Sequence, residues 1–237
     1  MSPLPTPEEL RTRLDELRAA RGYLLPHHGA MAAAAPDLHD AYLNMYAALT
    51  LTRRHLDPFE RELIWLAILT AEHEAIGTHH LELFAREGGT LEQARTVFQL
   101  VGYAGAADAF GFVQEHWDAF YGGLDHFGAY LDGVQALRGP AVTAEQAQLA
   151  LLAVQAARAC PWGVAAHIRE AYRLAIAEHK LVEALSLIIW PTGVNRFLEA
   201  CAVWHELMAA GAVTPSASYQ AWADTPAGPY RKGAPGL

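Results

Sequence analysis

Cysteine is scarce in this chain. Cys160 and Cys201 are the two it has among 237 residues, and no CxxC pair occurs. They allow at most one disulfide, and a disulfide-stapled scaffold or an all-cysteine zinc site is excluded. Charge is thin as well, at 18% of residues, with 26 acidic side chains against 17 basic ones. A net charge of −9, with Lys and Arg scattered and no basic stripe, argues against nucleic acid and anionic membrane as partners. No run of 18 uninterrupted apolar residues is present, which argues against a membrane span. The opening MSPLPTPEELRTRLDELRAARG is charged and lacks the apolar centre of a secretory signal, so the expected location is cytoplasmic. A glycine-rich phosphate loop, a nucleotide fingerprint and an H-E-x-x-H metal motif are all missing, and no cofactor is expected.

What is abundant is apolar: 52% of residues, enough for a sizeable core. Histidine is frequent at 12, and nine of these precede residue 127. Helix signals dominate. Thr6-Pro7-Glu8-Glu9 pairs an N-cap residue with proline at the first helical position and acids in the first turn. Asp57-Pro58-Phe59-Glu60 and Thr143-Ala144-Glu145-Gln146 have the form of capping boxes. Each precedes an Ala/Leu-rich run, Leu63 to Ala71 and Leu149 to Ala157, that reads as a buried helix. No alternating β-branched run competes. Breaks are expected at Gly88-Gly89, Gly122-Gly123, Gly139-Pro140 and Gly211, giving ten or so helices with short connections.

The chain also resembles itself. Ala41-Tyr42-Leu43-Asn44 recurs as Ala129-Tyr130-Leu131-Asp132, 88 residues on. The two capping boxes lie 86 apart. His80 and His167, Phe110 and Phe197, Trp117 and Trp204, and Tyr103 and Trp190 are each 87 apart. The expected fold is therefore all-α. It comprises an N-terminal helical extension over 1–35, two diverged repeats over 36–122 and 124–211 packed as one bundle, and an extended C-terminal arm over 212–237. The four prolines of the arm argue against helix there, while Trp222 and Tyr230 suggest that it lies on a surface. The aromatic residues spaced by seven read as core or subunit interface. His27-His28, after Pro26, reads as a solvated turn.

Repeat one runs Arg61-Glu62-Leu63, an apolar helix, then Glu72-His73-Glu74-Ala75-Ile76-Gly77-Thr78-His79-His80, with Ala85 and Gly88 five and eight residues beyond His80. Repeat two has Cys160-Pro161-Trp162-Gly163-Val164-Ala165-Ala166-His167 at the corresponding junction. Over roughly residues 20–210 this layout resembles the carboxymuconolactone decarboxylase / alkylhydroperoxidase D-like superfamily, with its R-E-L helix start, its CxxCxxxH junction and the xxxAxxxG that follows. The peroxidase branch of that superfamily cycles two junction cysteines between dithiol and disulfide. Here those positions hold His73 and Ile76 in one repeat, Cys160 and Gly163 in the other. Neither repeat has the second thiol that a sulfenic acid must condense with, so thiol peroxidase chemistry is disfavoured. The resemblance further implies a ring-like homo-oligomer, with three duplicated chains forming a pseudo-hexamer.

The densest titratable cluster is Glu72, His73, Glu74, His79 and His80. Histidine titrates near neutrality, and a carboxylate neighbour tunes it into an acid or base. The favoured reading is a cofactor-free, acid/base lyase or isomerase of the decarboxylase type, acting on a small organic acid or lactone. His80 would move the proton, aided by His79 or His73. Glu62 or Glu74 would orient it, and Arg61, Arg54 or Arg53 would anchor a carboxylate. Adjacent histidines point about 100° apart on a helix, so a shared metal ion is not expected at this cluster. Cys160 with His167 is the second-repeat candidate and carries an alternative redox reading. A non-enzymatic helical scaffold with decayed sites is the third.

Overall fold

In the computed structural model, residues 4–121 and 123–225 are described, and all regular structure among them is helical. The chain divides into two compact units, Met1–Thr52 and Arg53–Leu237. This division differs from the sequence-based boundary at residue 35, because the helix expected to open repeat one packs with the helices before it.

The first unit holds α1 (Pro7–Arg21), α2 (Pro26–Ala34) and α3 (Pro36–Tyr46), the last running into a π-helical turn over Ala47–Leu51. Thr6 closes a capping box with Glu9, and Gly22, at φ 79°, ends α1. The pair expected as a solvated turn is instead the first turn of α2, with His28 buried. His28 Nδ1 lies 3.1 Å from Nε2 of the equally buried His39. Arg21 meets the far nitrogen of His28 at 3.0 Å, and Arg13 donates to His39 Nδ1 at 3.2 Å. Pro26 fixes the start of the helix, and these polar partners make burial of two imidazoles tolerable.

The second unit contains α4 (Pro58–Ala71), α5 (Thr78–Arg86), α6 (Leu91–Tyr103), α7 (Ala106–Trp117) and α8 (His126–Arg138). It continues through α9 (Ala144–Ala157), α10 (Pro161–Arg173), α11 (Glu178–Leu187), the short α12 (Ile189–Thr192), α13 (Val194–Ala209) and α14 (Ala217–Ala223). Its centre is α4 packed against α9. Every residue of α4 from Glu60 to Leu69 is buried, as is every residue of α9 from Ala147 to Ala157. A helix this enclosed shows no polar stripe, which is why both read as continuous apolar runs. Around this pair α5 and α6 flank α4, while α10 and α11 flank α9. Helices α6 and α7 together span Leu91–Trp117, the one helical stretch among the described residues long and apolar enough to cross a membrane. Here α6 packs on α4, α8 and α9, and α7 on α8 and α10.

The same local devices recur at one offset. Asp57 and Thr143 both close capping boxes, 86 residues apart. His73 (φ 53°) and Ala159 (φ 55°) end α4 and α9 in the left-handed region, where a side chain costs roughly 1–2 kcal/mol. The amide of the next residue then bonds back five residues, Glu74 to Leu69 O at 2.9 Å and Cys160 to Gln155 O at 3.0 Å. Gly88 and Ala175 repeat this ending after α5 and α10. A β-carbon on Gly77 would sit 2.7 Å from Leu69 Cδ2, and one on Gly163 would sit 2.5 Å from Gln155 Cδ. Both glycines, again 86 residues apart, let the following helix start close against the end of the preceding one.

Contacts between the repeats are polar as well as apolar. Lys180 Nζ donates to Glu60 and Glu145, both at 2.8 Å, and Glu183 Oε2 accepts from the Leu56 amide at 2.8 Å. Trp204 is fully buried and its Nε1 donates to Tyr172 Oη at 3.1 Å, whereas Trp117 is exposed.

The C-terminal stretch corrects the expectation of a wholly extended arm. Residues Ala217–Ala223 form α14, and Tyr219 stacks on Trp204 at 5.2 Å with Trp222 edge-on at 5.5 Å. Pro215 precedes this helix in the sequence and Pro226 follows it, so proline content misled where proline position would not have. Tyr230 and Gly122 lie outside the described residues.

Candidate functional site

The site forms where α4 turns into α5. Arg61, Glu62 and Trp65 sit in the first turns of α4, and Gly77 sets α5 close enough to bring His80 over them. His80 Nδ1 donates to Glu62 Oε2 at 2.7 Å, with both residues 3% exposed. The other Glu62 oxygen accepts from Arg61 Nε at 3.3 Å. On one face of the imidazole lies the Trp65 indole, 4.2 Å between centroids and 16° from parallel. His79 approaches the ring at 4.1 Å, tilted by 40°. Trp65 is 2% exposed, yet its Nε1 has no hydrogen-bond partner among the described residues.

A carboxylate on Nδ1 fixes the tautomer of the ring, so Nε2 is the nitrogen that can accept or deliver a proton. The carboxylate also balances the positive charge acquired in that step, and Arg61 holds the carboxylate in turn. Arg61 thus supports the Glu62–His80 pair from within the core.

The remaining sequence candidates are placed elsewhere. Glu74, offered as an alternative orienting acid, accepts from the Ile76 amide at 2.6 Å and shapes the turn. It is exposed, as is His73, and both line a hollow of about 300 Å³ with Thr70, Thr78 and Phe98. Arg54 is exposed on the segment before α4. Burial raises the pKa of Glu72, with Arg196, His73 and Arg158 opposing the rise. Among the described residues, no three His, Cys, Asp or Glu side chains converge where they could hold a metal ion.

At the corresponding place in the other repeat, His167 Nδ1 donates to Gln148 Oε1 at 2.6 Å. Its Nε2 accepts from the Tyr130 hydroxyl at 3.1 Å, and Tyr130 in turn accepts from Gln155 Nε2 at 3.1 Å. The same Gln155 nitrogen donates to Ala104 O at 2.9 Å. His167 is 0% exposed, and burial pushes its pKa down to about 3. Both ring nitrogens are occupied, so the ring is neutral and has no nitrogen to offer Cys160 as a base. Cys160 caps α10, its Sγ accepting from the Gly163 amide at 3.4 Å. Burial pushes both the Cys160 and the Cys201 thiols up to about 11, whereas thiol chemistry runs through the thiolate. Beside Cys160 opens a groove of about 930 Å³ walled by Phe112, Phe127 and Trp162, with Asp108, Arg169 and Glu206 among its polar residues.

Sequence reasoning missed Trp65, Gln148, Tyr130 and Gln155 as members of these two sites. The 86-residue offset places Gln148 opposite Glu62 and was the available signal. A tryptophan in an apolar run carries none.

No protein-family model matches this chain, nor does any curated protein or solved structure.

Proposed function

We propose that the protein is a cofactor-free acid/base enzyme of the carboxymuconolactone decarboxylase type. It would act on a small organic acid or lactone, with the chemistry confined to the first repeat. The observation that carries this reading is the Glu62–His80 bond of 2.7 Å, set against Gln148–His167 in the second repeat. One fold offers the same histidine in two settings, and the ionisable partner is present in one of them. In the reaction, the bond from the substrate's carboxyl group to the adjacent carbon breaks, and its electron pair passes into the conjugated carbonyl. Protonated His80 then delivers its proton to the resulting enolate carbon and CO2 leaves. In the isomerase variant the same nitrogen removes a proton from one carbon and returns it to another. Either way the electron pair rests on the substrate's own carbonyl, so no cofactor is needed.

We place this enzyme in the cytoplasm as a homotrimer. Phe112, Trp117, Phe120, Tyr121 and Leu124 are all substantially exposed around the end of α7, and homo-oligomers cover such patches symmetrically.

The test is proton exchange and CO2 release from a panel of carboxylated five-membered lactones and β-keto acids in D2O, followed by NMR. His80→Gln should lower the rate by about 10²-fold or more, with melting temperature and oligomer size preserved. A wild-type rate in His80→Gln, or no turnover of any panel member by the wild-type protein, overturns the reading.

A further inference from the structure

We infer that Trp65 binds the substrate, donating its indole N–H to a carbonyl or carboxylate oxygen. This rests on the proposed chemistry at His80 and names a further group at that site. Indole nitrogen is a donor only and cannot be satisfied by another N–H. At 2% exposure, the Trp65 Nε1 has no partner among the described residues, although buried polar groups almost always have one. No described residue supplies an acceptor, and an oxygen arriving with the substrate would.

Position supports the assignment. The indole lies 16° from parallel to the His80 ring, with centroids 4.2 Å apart. An oxygen held roughly 3 Å from Nε1 is therefore within one small molecule's length of the proton-transferring ring. Glu62 precedes Trp65 by one helical turn, so a single face of α4 carries both the residue that orients His80 and the donor. The second repeat has Leu151 at the corresponding position, buried and without a polar atom. The repeat with the Gln148–His167 pair thus lacks the donor too. A phenylalanine could also stack on the imidazole, and it would leave no buried polar group behind.

The experiment reads the Trp65 indole proton directly. In protein labelled with ¹⁵N at the indole nitrogens, Trp65→Phe identifies the resonance. Two probes, neutral γ-butyrolactone and the 4-hydroxybutyrate anion, are then titrated. A saturable downfield movement with the lactone assigns the donor to a carbonyl oxygen, and movement with the anion assigns it to a carboxylate. Trp65→Phe should bind the effective probe at least about tenfold more weakly, read from the other tryptophans. A resonance unmoved by both probes, whether they bind elsewhere or not at all, overturns the inference, as does equal affinity in Trp65→Phe. His80→Gln keeps the movement if Trp65 binds substrate, even where turnover is lost. An inactive but shifting variant and an active but unshifted wild type therefore separate this inference from the proposed chemistry.

Discussion

Glu62 and Gln148 hold equivalent positions in the two repeats, each within 2.7 Å of the Nδ1 of its histidine. One partner can carry charge and the other cannot. The difference of a single functional group separates a histidine with an ionisable partner from one held by neutral partners.

Exchanging those partners should have unequal consequences. Glu62→Gln keeps an acceptor for His80 and gives up the 3.3 Å bond from Arg61, so it should fold with a loss of at most about 2 kcal/mol while the proposed turnover falls. Gln148→Glu places a carboxylate beside a fully enclosed, neutral ring, and should cost about 2 kcal/mol or more. Urea denaturation of both variants checks the asymmetry. Equal losses would count against it.

The buried histidines set a direction for acid sensitivity. Burial, with His27, Arg21 and His39 adding to it, lowers His28 to about 4, and burial lowers His167 to about 3, against an ordinary value near 6.5. An unfolded chain takes up protons at these positions as pH falls through 6.5, while the folded protein does not. Their stabilising contribution is therefore complete above pH 6.5. It is lost progressively on the way down to about 4 for His28 and about 3 for His167. The urea midpoint should fall steadily from about pH 7 to about pH 4.5, and His167→Gln should flatten that fall.

Thiol reactivity should be slow and steeply dependent on pH. With both cysteines near 11, less than about one part in a thousand is thiolate at pH 7.5. Alkylation by iodoacetamide should rise about tenfold per pH unit from about 7 to about 10 without a plateau. A plateau below about pH 9 would show an activated cysteine.

The two junction glycines should differ in tolerance. In Gly77→Ala the new methyl meets the end of Leu69, a flexible side chain, and the cost should be about 1 kcal/mol. In Gly163→Ala it meets Gln155, whose amide is already tied to Ala104 O and Tyr130. Moving Gln155 breaks that network, so the loss should be about 2–3 kcal/mol. Thermal denaturation ranks the two.

Much of the fold was legible because it is written in local chemistry. Thr6, Asp57 and Thr143 announce their helices through side chains acting within four residues, and all three caps form. The enclosed helices were legible from unbroken apolar runs. His28 was not, since its burial depends on His39 and Arg21, which reach it from other helices, and on Arg13, which holds His39. The helix α14 was hidden because it owes its order to Trp204, which lies on α13 and meets Tyr219 ring against ring. At the site, spacing pointed to His80 and to Glu62 as one of two acids. Choosing between Glu62 and Glu74 required the turn of α4 into α5, which no pattern of residue types states.

The central pairing of α4 with α9 has a consequence for how the molecule ages under mutation. Each repeat covers the other's most apolar helix, so neither can unfold, or be deleted, without exposing its twin. The second repeat, with its histidine wired as structure, is thereby required for the first to stay folded. Damage at Gln155 or Tyr130, far along the chain from His80, should register at His80 as lost folding.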